Sequence, residues 1–148
     1  MTPAELPRQP VPLSTAPGGD PPADPSTTVY ELVGGEAAFR ALVADFYRRV
    51  AQDPILRPLY PEEDLTGAQE RLTLFLIQYW GGPATYREQR GHPRLRMRHA
   101  PFAVGPAERD AWMHHMRAAL DTLELAPELD RLLWTYLARA AESMRNRD

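Results

Sequence analysis

The sequence contains no cysteine and no lysine. Without thiols there is no disulfide framework, thiolate nucleophile, zinc ribbon or cysteine-held cluster. Without lysine there is no Schiff-base chemistry and no lysine general base. No apolar run approaches the ~18 residues of a membrane span. The N-terminus lacks a basic start followed by an apolar stretch, so no secretory signal is read and a cytoplasmic protein is expected. The phosphate-binding GxxxxGK[ST] loop, the dinucleotide fingerprint, HExxH and GxSxG are all missing. The carboxylates are scattered on expected solvent faces, without metal-ligand spacing. The net charge of −3 gives no global positive field to attract nucleic acid.

What is present begins with arginine and proline. All 17 basic residues are arginine. That choice reads either as codon usage or as a need for planar, bidentate donors. Eight of the 16 prolines precede residue 26. Residues 1–26 therefore read as a disordered tail: proline removes backbone donors, and the segment holds few large apolar groups to offset ordering entropy. Residues 27–148 then form a single domain with enough apolar content for one core.

Within that domain the apolar spacing is helical. Thr27 or Thr28 can cap one or two turns ending at Gly34-Gly35, although the β-branched residues there also suit a strand. Phe39, Leu42, Val43, Phe46, Tyr47 and Val50 recur at gaps of three and four, which marks an amphipathic helix stopped by Asp53-Pro54. A second helix runs over Leu65, Ala68, Leu72, Phe75, Leu76 and Tyr79, capped by Asp64 or Thr66 and ended by Gly81-Gly82-Pro83. Residues 83–104 carry five arginines and weak periodicity, and are read as a long loop with at most a short helix near 94–99. Two further helices begin near Pro106 and Pro127, where proline suits a first helical turn. The expected fold class is all-α, helix packed on helix.

The residues able to carry chemistry are few. His92 sits in a Gly-His-Pro turn. His114 and His115 are adjacent and face different sides of one helix, with His115 one turn from Trp112. His99 ends Arg94-Leu95-Arg96-Met97-Arg98-His99, where a short helix would present its imidazole rigidly to an apolar interior, the way a haem iron is held. Tyr47, Tyr60, Tyr79, Trp80 and Trp112 form the second group. They are either ordinary core packing or a set of buried O–H and N–H donors in need of partners.

Several of these stretches, in this order, resemble one family. Tyr60-Pro61-Glu62-Glu63-Asp64-Leu65 resembles the globin segment leading into the helix over the haem. Phe75-Leu76-Ile77-Gln78-Tyr79-Trp80-Gly81-Gly82-Pro83 is similar to the end of that helix. Gly91-His92-Pro93-Arg94 through Phe102 is similar to the iron-ligand segment. With Gly34-Gly35, Phe46-Tyr47 and Glu108-Arg109-Asp110-Ala111-Trp112, the domain is identified as a member of the group II truncated haemoglobins over roughly residues 29–145.

The resemblance implies a two-over-two helical sandwich around haem b, with His99 as the proximal iron ligand. It implies that the second ring nitrogen of His99 donates to a backbone carbonyl. It implies a distal cage of Tyr47, Tyr60 and Trp112, and a wall of Leu72 and Phe75 with Ala68 one turn before Leu72. Leu95 shares the face of His99. Arg71 and Arg98 are the expected cations for the haem propionates. Ala68 stands where other globin classes place a distal histidine, so no internal sixth ligand is expected from it. Donors converging on a bound gas in a dry pocket slow its release.

The implied function is reversible binding of dioxygen, and of NO and CO, for transport or scavenging. Conversion of NO to nitrate, or weak peroxidase chemistry, is the enzymatic alternative. It needs electrons from an external reductase, since the chain has no flavin or nicotinamide domain. A gas sensor and a haem-free helical interaction module are the readings from other classes. The exposed apolar groups are compatible with a homodimer.

Overall fold

The computed structural model describes residues 28–61, 63–99 and 102–147, with Leu95 and Arg96 described by their backbone alone. The proline-rich segment 1–26 lies outside the described residues. Seven α-helices and one 3-10 turn appear among them: α1 (Val29–Val33), α2 (Gly35–Val50), the 3-10 turn Arg57–Leu59, α3 (Thr66–Tyr79), α4 (Thr85–Arg90), α5 (Leu95–His99), α6 (Pro106–Asp121) and α7 (Pro127–Ser143). No strand occurs among the described residues.

The four long helices are those marked by the apolar spacing. On α2 the buried side chains are Phe39, Leu42, Val43, Phe46, Tyr47 and Val50, the complete expected stripe. This helix packs against both α3 and α6, and α6 packs against α7. Two helix pairs thus cross through α2 and α6. Phe39, Leu42, Phe46, Leu76, Met116, Leu120 and Leu133 are fully enclosed between them. Burial of each such side chain contributes about 1.5–3 kcal/mol. The one buried polar residue among those described, Thr73, turns its hydroxyl to the Gln69 carbonyl one turn earlier at 2.8 Å, so it leaves no unmet donor.

Helix ends follow local chemistry. Thr28 rather than Thr27 caps α1: its Oγ1 accepts from the Glu31 N–H at 3.2 Å, which settles the ambiguity of this β-branched stretch for helix. Asp64 accepts from the Thr66 N–H at 2.8 Å and the Thr66 hydroxyl at 2.6 Å, one residue ahead of the α3 cap. Pro106 and Pro127 open α6 and α7, and Glu108 reaches back to the Gly105 N–H at 2.8 Å. Across the helix pairs, Arg40 joins α2 to Glu70 of α3 at 2.8 Å. Arg117 and Arg109 join α6 to Asp130 and Glu142 of α7, each at 2.5 Å.

One segment differs from expectation. Residues 85–90, read as loop, form α4. The sequence TYREQR offers only one large apolar side chain, so no periodicity marks it. Its helicity comes from tertiary partners: Tyr86 is buried with its ring edge-on to Phe75, centroids 5.6 Å apart, and Gln78 Oε1 accepts the Arg87 N–H at 2.7 Å.

Gly81-Gly82 makes the close approach between α3 and α1. Gly81 adopts φ +102°, and the Tyr30 N–H donates to the Trp80 carbonyl at 2.8 Å. A Cβ on Gly82 would stand 2.6 Å from the Ile77 side chain and 2.8 Å from the Tyr30 ring. Gly82→Ala is therefore expected to destabilise the fold by about 1–3 kcal/mol through overpacking. Urea denaturation checks this, and an unchanged midpoint would contradict the packing.

Candidate functional site

The residues singled out by the sequence lie partly on the long helices α2, α3 and α6 and partly on two segments that connect helices. The first, residues 51–65, carries Tyr60. The second, residues 91–105, carries His99. Neither segment has helix of its own beyond a single short turn, so each needs side chains to satisfy its backbone.

Tyr47 projects from α2 with 6 % exposure and meets Tyr60 edge-on, ring centroids 5.5 Å apart at 80°. Tyr47 also packs edge-on against Phe46 at 5.0 Å, and Phe46 packs against Trp112 of α6 at 5.3 Å. The three expected donors are thus joined in a chain of rings, with Tyr47 and Tyr60 in direct contact and Trp112 reached through Phe46. Phe46, which sequence reasoning used as an apolar helix position and as part of the family motif but not as a site residue, is the ring that links them. Each edge-on pair contributes about 0.5–1.5 kcal/mol beyond its buried area and fixes ring orientation.

On α3, Ala68, Leu72 and Phe75 lie at helical spacing on one face. Ala68 and Phe75 are buried and Leu72 is half-buried. Phe75 also contacts Tyr79 at 6.2 Å and, through Tyr86, anchors α4. Tyr79 stacks on Tyr136 of α7 at 3.9 Å, and burial pushes its phenol up to about 12. Tyr79 and Tyr136 stay neutral under all ordinary conditions and serve as packing groups.

His99 ends α5 and is half-buried. Its carbonyl accepts from the Phe102 N–H at 2.9 Å. His92 acts locally, with Nδ1 accepting from the Arg94 N–H at 3.1 Å in the turn before α5. Arg98 Nε donates to the Pro93 carbonyl at 2.7 Å and its Nη2 to the Arg90 carbonyl at 3.2 Å. The guanidinium proposed for a propionate thus ties down the loop. Arg57 does the same for the other connector, donating to the carbonyls of Tyr60 at 3.0 Å and Glu63 at 2.9 Å. Arg71 is half-buried, and its guanidinium lies over Gly67 at the start of α3. Leu95 is helical in backbone, on the turn before His99.

His115 has a partner that spacing alone could not reveal. Its Nε2–H donates to Asp53 Oδ2 at 2.5 Å, while Asp53 Oδ1 accepts from the N–H groups of Ile55 at 2.6 Å and Leu56 at 3.0 Å. One carboxylate therefore holds the start of the Tyr60 connector and pins it to α6, one turn from Trp112.

The donor chemistry restricts what this arrangement can hold. Among the described residues no group of three or more His, Asp or Glu side chains could bind a bare metal ion. A lone imidazole holds iron firmly only when a macrocycle supplies the other ligands. Tyr60, Leu72, Phe102 and Trp112 are large, apolar or amphipathic, and only half-buried, so they have surface left to cover an apolar group. His99 itself is half-buried at the end of a helix of only five residues. A flat apolar cofactor such as haem suits both features.

Comparison with known proteins agrees with this geometry. The profile of the bacterial-like globin family matches residues 28–146. The chain is 42% identical over 117 residues to the group 2 truncated hemoglobin YjbI of Bacillus subtilis, covering 79% of this chain and 87% of that protein. The structure superposes on a thermostable hemoglobin of Thermobifida fusca with TM-score 0.80 at 61% identity, covering 81% of this chain and 98% of that one. A truncated oxygen-avid haemoglobin from Bacillus subtilis superposes with TM-score 0.76 at 41% identity, covering 81% and 100%.

The Asp53 carboxyl is held below the usual carboxylate range, chiefly by the hydrogen bond from His115 and further by the two backbone N–H groups. A depressed folded-state value adds stability that is present above the unfolded value of about 3.9 and is lost as pH falls through the folded value. Wild-type stability should accordingly fall more steeply below about pH 4 than that of Asp53→Asn. Equal acid slopes in thermal melts would remove Asp53 as the anchor of this connector.

Proposed function

The chain belongs to the bacterial-like globins and within them to the group II truncated haemoglobins, and from this we propose that it reversibly binds dioxygen, and also NO and CO, at a haem b held by His99. When bound, haem would supply a ferrous iron able to take up a diatomic gas. The remaining chemistry belongs to the chain. The imidazole of His99, at the end of α5, serves as the proximal ligand. Leu72 and Phe75 form the apolar wall that keeps water out, with Leu95 on the proximal side. Ala68 carries no group able to compete with the gas. Arg71 is the cation for a propionate, and Arg98 chiefly ties the ligand loop.

The phenols of Tyr47 and Tyr60 and the indole N–H of Trp112 donate toward the gas. The observation that carries this reading is the ring contact of Tyr47 with Tyr60 beside the Phe46–Trp112 pair, which brings these donor-bearing side chains into one cluster. A hydrogen bond to an acceptor gaining negative charge contributes about 1.5–3 kcal/mol, and a dry setting strengthens it. Such donors favour a slow dioxygen off-rate, in keeping with the oxygen-avid Bacillus subtilis protein. Residues 27–148 make up the gas-binding unit in this reading, and residues 1–26 are an appendage. The cytoplasm is the compartment, and electrons for restoring ferrous iron come from a separate reductase.

Stopped-flow release of dioxygen tests the proposal. Trp112→Phe should speed release by on the order of 10- to 100-fold, the loss of one hydrogen bond to a charged acceptor. An unchanged rate would take Trp112 out of the cage. Deleting residues 1–26 should leave gas affinity at the wild-type value, and a changed affinity would give the segment a part in the site.

A further inference from the structure

We propose that Asn146, far from His99 in sequence, is a positioning residue that sets the placement of the His99 imidazole by clamping the backbone on its C-terminal side; this rests on His99 being the iron ligand. After α7 the chain turns back along the segment that follows α5. Asn146 Nδ2 donates to the Phe102 carbonyl at 2.8 Å and lies 3.4 Å from the carbonyl of His99 itself. Asn146 Oδ1 accepts from the Val104 N–H at 2.8 Å. The Val104 carbonyl in turn accepts from the backbone N–H groups of Asn146 at 2.8 Å and Arg147 at 3.1 Å. One side chain and two backbone groups thus satisfy three consecutive stations of the segment, at His99, Phe102 and Val104.

The chemistry calls for an amide. The carboxamide meets two carbonyls with its NH₂ and one N–H with its oxygen, so its orientation is fixed by its partners. A carboxylate would keep the bond to Val104 but set negative charge against two carbonyl oxygens. An aliphatic side chain would leave the Phe102 carbonyl and the Val104 N–H unsatisfied, while the His99 carbonyl keeps only the Phe102 N–H. The clamp matters because α5 is only five residues long. A helix this short has no rigidity of its own. Arg98 ties its N-terminal approach through Pro93 and Arg90, and Asn146 ties its exit. The imidazole between them takes its direction from both.

The test uses the full chain with Asn146→Ala and Asn146→Asp, and Arg131→Ala of exposed α7 as a control. Amide exchange in the haem-free chain reads the clamp. Asn146→Ala should speed exchange at Val104, whose N–H loses its acceptor, while Asn146→Asp, which keeps that acceptor, should leave Val104 protected. In the ferrous haem-loaded chain the iron–imidazole stretching band of both variants should shift and broaden, and haem transfer to an acceptor globin should be about 10-fold faster. Arg131→Ala should match wild type in every readout. Should Asn146→Ala fail to fold, Asn146→Asp decides, because it retains the Val104 bond. A band position, band width and haem-loss rate all at wild-type values in Asn146→Asp would overturn the proposal. If the wild-type chain takes up no haem, the functional reading falls separately. Exchange then still decides the clamp, and unchanged Val104 protection in Asn146→Ala would remove it.

Discussion

The site depends on one constraint: two irregular connectors must satisfy their own backbone groups without the help of a helix or sheet. An unmet buried N–H or C=O costs about 1–3 kcal/mol, enough to let a short connector rearrange. Here the polar side chains meet that demand at fixed points. Asp53 accepts from two backbone N–H groups at the start of the Tyr60 connector, and Arg57 donates to two carbonyls at its end. Arg98 and Asn146 do the same on either side of α5. Tyr60 and His99 owe their positions to these ties, since neither stands on a long helix.

The long helices supply the complementary part. Their enclosed side chains form a core through which α2 meets both α3 and α6, so Tyr47, Trp112, Ala68, Leu72 and Phe75 sit on rigid supports. The Asp53–His115 bond couples the two systems, joining the connector of Tyr60 to the helix of Trp112. Rigid helices thus carry Tyr47, Trp112 and the Ala68, Leu72 and Phe75 face, and pinned loops carry His99 and Tyr60. The absence of lysine acquires a physical sense at several positions. Arg57 and Arg98 each span two carbonyls with one planar fork, and Arg117 spans Asp121 and Asp130 while lying over the Trp134 ring. A single ammonium reproduces that geometry poorly. For Arg87, Arg90 and Arg94 nothing in the structure requires arginine.

The long helices were legible because burial imposes a period of 3.6 on any helix with one solvent face, and Phe39 through Val50 or Leu129 through Ala141 follow it. Pro106 and Pro127 announced their helix starts through their fixed φ. His99 stood out because a histidine closes a short amphipathic stretch before Pro101. Helix α4 was illegible, since its stability comes from Tyr86 and Gln78 contacts rather than from a pattern of its own. The Asp53–His115 and Asn146 contacts were illegible for a related reason: their partners are 62 and 42–47 residues apart, and no local spacing encodes such a meeting. Arg98 stood out only for its place beside His99; its bonds to the Pro93 and Arg90 carbonyls follow from the turn of the loop and carry no local spacing signal.

In the proposed reading one imidazole, His99, would hold the haem iron and leave it able to bind a gas. Titration of the purified full-length chain with haem, followed by reduction without oxygen, tests it most directly. The account predicts saturation at one haem per chain, an intense Soret band, and a ferrous spectrum with a single imidazole ligand that is lost in His99→Ala. A chain that develops no Soret band, or a His99→Ala variant with an unchanged ferrous spectrum, would contradict it.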